Sequence, residues 1–208
     1  MSTRKKFIQS FSWQTVNVAT QVVLQLTFIA FIARLIGTEA FGIIGVALAI
    51  VGLVEIFSQV GIGPALIQRK DLVQGQINGA FFISLILGIA FTALMLLLGP
   101  AIAAYYEYEP LGPILQVIGL SFFISAIAVV PKNMIIKQMQ FKKLFIAALI
   151  AMTIGNLGIG IGLAYAGYGV WAYVFALLSQ NVIMTIMFWI QNPVKITGFS
   201  DWSGTMSM

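Results

Sequence analysis

Four amide side chains occur at helical spacing inside the first long apolar segment. They are Gln14, Asn17, Gln21 and Gln25. Intervals of three, four and four residues put all four on one face of an α-helix. We assign Val16, Val23, Phe28 and Ile32 to the opposite face. Because hydrocarbon offers an amide no hydrogen-bond partner, the amide face is expected to contact protein or water.

Two interpretations of this amide face are open. In the first, the amides form hydrogen bonds between helices, at about 0.6 kcal/mol per contact on average. In the second, they form one wall of a hydrated cavity that binds a substrate. Four amides within two to three turns exceed what helix packing usually needs, which favours the cavity. A weaker polar set lies in later segments and adds Asn156 as a further cavity candidate; its other members are Thr153, Ser179, Gln180, Asn181 and Thr185.

Few charged residues are placed where they could act on a substrate. Glu55 lies in the second apolar segment and is a candidate for binding a proton or another cation, although its place near the segment end favours pairing with Arg69 or Lys70. Arg34 is a candidate for an anionic substrate at the outer mouth, or for pairing with Glu39. Arg69 and Lys70 are candidates for phosphate contacts on the inner side, although topology signalling alone explains them.

No catalytic constellation is present. The chain has no cysteine and no histidine, which excludes disulfides, thiolate chemistry, Cys/His metal sites and histidine acid–base catalysis. We find no nucleophile beside a base and no phosphate-binding glycine-rich motif. The sequence therefore predicts a protein that is not an enzyme, with no metal and no cofactor.

Membrane-spanning helices must position these groups. Of the 208 residues, 60% are hydrophobic and 8% are charged, against about 25% charged in ordinary soluble domains. Crossing ~30 Å of hydrocarbon takes roughly 20 helical residues, and six segments reach that length. The predicted spans are Phe11–Ala33, Gly42–Val60, Ile77–Leu98, Ile114–Val130, Leu144–Ala166 and Val170–Ile190. The first is too long for a cleavable signal, and no segment alternates as a barrel strand does. The predicted fold class is all-α integral membrane, a six-transmembrane-helix bundle.

The basic residues predict the orientation. With the N-terminus inside, ten of the eleven Lys and Arg residues fall on the inner side and only Arg34 falls outside, as the positive-inside rule requires. Both termini are then cytoplasmic. The net charge of +5 is explained by these clusters rather than by a nucleic-acid partner. The segment Lys132–Lys143 mixes lysines with apolar residues and is predicted to form a short amphipathic surface helix.

Glycines and prolines mark the breaks between the predicted spans. The breaks include Gly61–Pro64, Gly99-Pro100 and Gly167–Gly169, which carry turn residues. In the fifth segment, Gly158 and Gly162 form a small-xxx-small pair that predicts close helix packing.

Four stretches of the chain resemble segments of a known family. They are Ala33–Gly42 (ARLIGTEAFG), Phe57–Arg69 (FSQVGIGPALIQR), Val130–Lys143 and Gly167–Ala172 (GYGVWA). They resemble the Wzx-type flippases, the polysaccharide transporters of the multidrug/oligosaccharidyl-lipid/polysaccharide exporter superfamily. Their order along the chain matches the family, although Gln59 stands where the family usually has an aspartate.

The resemblance implies a transporter that moves an undecaprenyl-diphosphate-linked oligosaccharide from the cytoplasmic to the periplasmic leaflet of the bacterial inner membrane by alternating access. It implies two six-helix lobes around a central, often cationic cavity, and proton or sodium coupling, for which Glu55 is the candidate residue. This chain corresponds to the N-terminal lobe (residues 1–192), with a cytoplasmic tail (193–208) in which Phe199–Ser203 begins the inter-lobe linker. The implied partners are the lipid-linked oligosaccharide, the bilayer and a second lobe. A truncated, non-transporting fragment and a membrane polysaccharide polymerase or glycosyltransferase are the alternative hypotheses.

Overall fold

The computed structural model of the chain describes the backbone of residues 3–58, 62–68 and 72–196, and the side chains of 18–55, 63–64, 66–68 and 72–196. Every regular element in this part of the chain is a helix. The helices are α1 (Thr3–Ile36), α2 (Thr38–Ser58), α3 (Ile62–Gln68), α4 (Gln74–Tyr105), α5 (Leu111–Lys137), α6 (Phe141–Ala151), a π-helical segment (Met152–Gly160), α7 (Ile161–Tyr165) and α8 (Val170–Gln191).

Six helices within the described residues are long and apolar enough to cross a membrane, which confirms the predicted fold class. Helices α6 and α7 and the π-helical segment between them form a single span, Phe141–Tyr165. Gly37, Gly167 and Gly169 adopt positive φ angles of 84°, 85° and 54°. They lie in connections at one end of the bundle, which we call the outer end; the opposite end, near Lys143, we call the inner end. At such angles glycine avoids the steric cost of a Cβ.

Helix α5 lies at the centre of the bundle and α1 at its margin. In the span of α5, 50% of the residues are buried inside the protein, against 11% in that of α1. The buried side chains of Ile114, Leu115 and Ile118 of α5 meet Met95 of α4 and Val174 of α8 in the largest apolar cluster. The polar residues of α1 are therefore placed on a helix that the rest of the chain covers only in part.

Small residues bring α4 and α5 into close contact. A Cβ added at Gly88 would lie 2.4 Å from the Ala126 Cβ, and one added at Gly119 would lie 2.5 Å from the Met95 Cβ. The Thr92 hydroxyl donates a hydrogen bond of 3.0 Å to the Gly119 carbonyl across the same contact. Close backbone approach through small residues is the usual way in which membrane helices associate.

Two prolines that directly follow or mark predicted span ends lie inside helices. Pro100 is within α4 and Pro131 within α5. A helical proline leaves the carbonyl four residues earlier without its N–H partner. Here the Gln116 amide donates to the freed Leu96 carbonyl at 2.9 Å, and the Trp189 indole donates to the freed Ile127 carbonyl at 3.1 Å. Because neighbouring helices supply these donors, the helices continue through both prolines.

The amphipathic helix predicted over Lys132–Lys143 is not present. Helix α5 continues to Lys137, a turn follows, and α6 begins at Phe141. Met139 in this turn has a φ of 55°. The prediction failed because it ended the fourth span at Val130, before Pro131, whereas the donor from Trp189 lets the helix continue to Lys137.

A short helix replaces part of the break predicted around Gly61–Pro64. Helix α3 begins at Ile62, so that Pro64 falls in its first turn, where proline is tolerated. Leu66 of α3 is 2% exposed and packs with Ile77, Val130 and the half-buried Val194. The chain after α8 therefore folds back beneath the inner ends of α3, α4 and α5.

Replacing Trp189 with phenylalanine is expected to destabilise the bundle. The change keeps an aromatic ring against Phe81 but removes the indole N–H that donates to the part-buried Ile127 carbonyl. A polar group left unpaired inside a protein costs up to about 1–3 kcal/mol, so the thermal midpoint in detergent should fall. The matched control is Trp171→Phe at the outer end of α8, where no proline frees a carbonyl. Equal midpoints for the two variants would contradict this account.

Candidate functional site

Side chains from three spans line a cavity of about 290 Å³ that opens to the outside of the bundle, where its Val22 and Leu26 are 50% and 60% exposed. They are Gln21, Val22, Gln25 and Leu26 of α1, Met152 at the start of the π-helical segment, and Gln180 of α8. The three glutamines are half-buried, and Met152 is 3% exposed. Two of the amides proposed from the sequence, Gln21 and Gln25, are thus joined here by Gln180 from the weaker polar set.

The cavity lies near the middle of the spans. Gln180 is ten residues after the first residue of α8 and eleven before its last, Val170–Gln191. Gln25 is eleven residues before the end of α1 at Ile36, and Met152 is eleven after Phe141. At 1.5 Å per residue each is about 15 Å or more from a helix end. The residues that α1, the π-helical segment and α8 contribute to the cavity therefore lie near half the depth of the hydrocarbon.

The outer side of the cavity is closed by apolar packing. The Gln25 side chain hydrogen-bonds to Tyr173 of α8, which is 5% exposed. One turn further along α1, the Phe28 ring stacks on Tyr173 with the centroids 5.5 Å apart. Phe28 and Ile32 are 1% and 0% exposed. In the outer half of α1, the side of the helix that carries the amides thus carries buried apolar residues instead.

The face we assigned to Phe28 and Ile32 was therefore wrong. At about 100° per residue, Phe28 and Ile32 fall on the same side of α1 as Gln21 and Gln25. Val23, in contrast, is 62% exposed on the other side, as predicted. Thr27 on that side donates its hydroxyl to the Val23 carbonyl of its own helix at 2.8 Å.

The π-helical segment packs against α8 through two glycines. A Cβ added at Gly155 would lie 2.7 Å from the Gln180 backbone nitrogen, and one added at Gly160 would lie 2.7 Å from both the Ala176 Cβ and the Phe28 ring. Ala176 and Gln180 are one α-helical turn apart on α8. Gly155 and Gly160, which are five residues apart in the π-helix, therefore face Gln180 and Ala176, which are four residues apart on α8.

The glycines that we expected to make this contact do not make it. A Cβ at Gly162 would have no atom within 4 Å, and one at Gly158 would meet only the Thr153 carbonyl at 3.5 Å. The prediction assumed α-helical geometry, in which residues 155 and 160 are about 140° apart. The wider π-helix brings them to one side. Asn156, in the same segment, is buried at 3% exposure but does not line the cavity.

The remaining polar groups of α8 bond mostly to backbone. Asn181 donates to the Leu177 carbonyl at 3.0 Å, Thr185 to the Ile124 carbonyl at 3.3 Å, and Ser179 to the carbonyls of Phe175 and Ala176. Ser125 of α5 contacts the Asn181 side-chain oxygen at 3.5 Å. These groups stabilise the bundle, and only Gln180 of the set reaches the cavity.

The other candidates lie away from the cavity or outside the described residues. Glu55 is exposed near the inner end of α2. Arg34 is exposed in the last turn of α1, where a cation favours the helix dipole. The side chains of Gln14 and Asn17 are outside the described residues, as are Arg69, Lys70 and Phe199–Ser203.

Sequence reasoning missed Tyr173 and Met152. Tyr173 follows the Gly167–Gly169 turn and is an ordinary aromatic in the sequence. Met152 differs from other apolar residues only in being flexible enough to fill irregular space. Neither carries a signal that spacing could have identified. Within the described residues, no group of acidic side chains is placed to hold a metal ion.

The six side chains that line the cavity, which we call its wall, can both donate and accept hydrogen bonds, and none of them is charged. Each amide offers two N–H donors and a carbonyl acceptor. Such a surface suits water or a hydroxyl-rich ligand.

Comparisons with known proteins agree on one family. A family model described as "Polysaccharide biosynthesis protein" matches residues 31–208. The chain is 26% identical over 144 residues to the lipopolysaccharide biosynthesis protein WzxC of Escherichia coli K12, covering 69% of this chain and 29% of that protein. It is 23% identical over 190 residues to the teichuronic acid biosynthesis protein TuaB of Bacillus subtilis 168, covering 90% and 39%.

A third relative carries a transport function in its name. The succinoglycan biosynthesis transport protein ExoT of Rhizobium meliloti 1021 is 19% identical over 183 residues, covering 88% of this chain and 36% of that protein. The chain thus spans less than two fifths of the length of each of these relatives. No solved structure matches the chain.

Proposed function

The chain belongs to the polysaccharide biosynthesis protein family whose model matches residues 31–208, and from that premise we propose that it forms one wall of a transport path for a lipid-linked oligosaccharide. It is a multi-pass membrane protein of the flippase family, with six helices able to span a bilayer. The cavity between α1, the π-helical segment and α8 is the proposed part of that path in this chain.

The observation that carries the proposal is the half-depth position of three amides around an open cavity. Gln21, Gln25 and Gln180 lie where lipid tails offer no hydrogen-bond partner. Polar groups at this depth mark substrate paths more often than lipid contacts. The helix that bears two of them, α1, is also among the least covered by the rest of the chain. A second set of helices packed against that side would enclose the cavity.

The finer parts of the proposal follow from the family and the charges. The substrate is an undecaprenyl-diphosphate-linked repeat unit that moves to the periplasmic leaflet of the inner membrane. A second six-helix lobe supplies the opposite wall, and the two lobes alternate access around the site. The orientation with both termini inside is supported by the lysines at 132, 137, 142, 143 and 195, which lie at one end of the bundle. Proton or sodium coupling is part of the proposal, but no carboxylate lines the described wall.

Polymerisation is less well supported than transport. A polymerase needs an acid or base beside its substrate, and the residues that line the cavity offer none. The transport function named for the Rhizobium relative also favours the first proposal.

Single cysteines test whether the cavity holds water. The chain has no native cysteine, so each introduced thiol is unique. Gln180→Cys and Gln21→Cys in membranes should react with a water-soluble methanethiosulfonate at least about tenfold faster than matched thiols in lipid, because only a hydrated thiol ionises to the reactive thiolate. The matched controls are Ile186→Cys on α8 and Val23→Cys on α1, at residues 51% and 62% exposed on the outside of the bundle. Equal rates at cavity and control positions would remove the cavity from any transport path.

A further inference from the structure

We infer that this wall binds the uncharged sugar part of a ligand and leaves its phosphate to be held elsewhere. The inference rests on the proposed function. Its basis is the composition of the wall: three amides and three apolar side chains, none of them ionisable. The resemblance to the flippases implied an often cationic cavity, and the described wall of this chain departs from that expectation.

The cations of the described helices are placed away from the cavity. Arg34 is nine residues beyond Gln25 on α1, and Lys143 is nine residues before Met152. At 1.5 Å per residue each is about 14 Å along its helix from the wall. The Lys143 ammonium also donates to the Gln191 carbonyl at 2.8 Å, where it caps the inner end of α8. Neither Arg34 nor Lys143 lines the space between Gln25 and Gln180.

A phosphate at this position would be poorly stabilised. Moving an anion out of water is costly unless a cation or several charge-assisted hydrogen bonds replace its hydration. Neutral amides form weaker hydrogen bonds to an anion than Arg or Lys does. The electrostatic balance therefore favours a neutral ligand against these six side chains.

Sugar hydroxyls match the wall in chemistry and size. A hydroxyl both donates and accepts, as an amide does, so that either group can satisfy the other in both directions. Val22, Leu26 and Met152 supply apolar surface for the C–H faces of a sugar ring. The volume of about 290 Å³ is close to the lower bound for ligand pockets, and it can hold one or two sugar units of a longer ligand.

Reagents of opposite charge measure the potential at the wall directly. In the Gln180→Cys protein, we expect anionic sulfonatoethyl and cationic trimethylammonioethyl methanethiosulfonates to react at a rate ratio within about fivefold of that for a free thiol in solution. A cleft that is lined by charges of one sign changes such rates by roughly tenfold or more. A ratio beyond fivefold in either direction would overturn the inference. Met139→Cys, in the exposed inner turn between Lys137 and Lys142, is the positive control and should favour the anionic reagent.

Protection by ligands tests the sugar assignment itself. Labelling of Gln180→Cys should slow at least about twofold when the membranes are loaded with the lipid-linked saccharide fraction of the producing cells. It should not slow with the same amount of sugar-free polyprenyl diphosphate. Equal protection by both, or protection by neither, would overturn the inference.

The two proposals fail in different ways. If neither charged reagent reacts with Gln180→Cys, the result contradicts a hydrated cavity and therefore also the proposed function. If both reagents reach the thiol but the anionic one is preferred beyond fivefold, the transport path survives and only the sugar assignment is lost.

Discussion

Replacing Gly155 with alanine is expected to destabilise the protein more than any other glycine-to-alanine change in the fifth span. The added Cβ would lie 2.7 Å from the backbone nitrogen and 2.8 Å from the Cα of Gln180. Backbone atoms cannot rotate away, so the π-helical segment must move from α8. Overpacking of this kind costs about 1–3 kcal/mol or more.

Gly162→Ala is the matched control because it lies in the same span with no atom within 4 Å of the new Cβ. An unobstructed helical alanine should gain up to about 1 kcal/mol over glycine. The measurement is the thermal midpoint of both proteins in the same detergent, and the two variants should move in opposite directions. A larger fall of the thermal midpoint for Gly162→Ala than for Gly155→Ala would contradict the π-helical contact. It would instead favour the contact through Gly158 and Gly162 that the sequence predicted.

The second large effect is expected from removing the amides of the cavity wall. Gln180→Met keeps the length of the side chain but loses its donors and acceptor. A hydrogen bond to a ligand is worth about 0.5–1.5 kcal/mol, and 1.4 kcal/mol is a factor of ten. Polysaccharide export in cells that depend on this protein should therefore fall up to about tenfold, with an unchanged amount of protein in the membrane.

Gln25 requires a paired change. Its side chain hydrogen-bonds to Tyr173, so that Gln25→Met alone would leave a buried hydroxyl without that partner and lower stability as well. Gln25→Met combined with Tyr173→Phe removes both groups together and isolates the effect on export. Adding Gln180→Met to this pair should deepen the loss. Gln138→Met in the exposed inner turn is the control. Export as low in the control as in the cavity variants would contradict the assignment of these amides to the transport path.

Much of the fold could be predicted from local properties of the sequence. Six apolar runs of sufficient length predicted six spanning helices, and those helices are present in the described residues. The family resemblance carried by Ala33–Gly42 and Gly167–Ala172 agrees with the family model over residues 31–208. Of the candidate site, the positions Gln21 and Gln25 could be predicted, because the spacing of amides along one helix depends only on that helix.

The rest could not be predicted because it depends on contacts between helices. Pro131 predicts a helix end unless a donor reaches the Ile127 carbonyl, and that donor comes from Trp189 in another span. Gly158 and Gly162 have the spacing of an α-helical contact, but the π-helical segment presents Gly155 and Gly160 instead. No rule of spacing identifies a nine-residue π-helix, Met152–Gly160, in advance.

The sequence by itself determined that this chain has six helices long and apolar enough to cross a membrane and carries amides on the first of them, because hydrophobic length and helical spacing are properties of single segments. The tertiary structure alone decided which amides share a cavity, what closes its outer side, and that the wall carries no charge. Gln180 meets Gln25 because α1 and α8 pack together around the π-helical segment. Such packing depends on the shapes of several helices at once, which no single segment specifies.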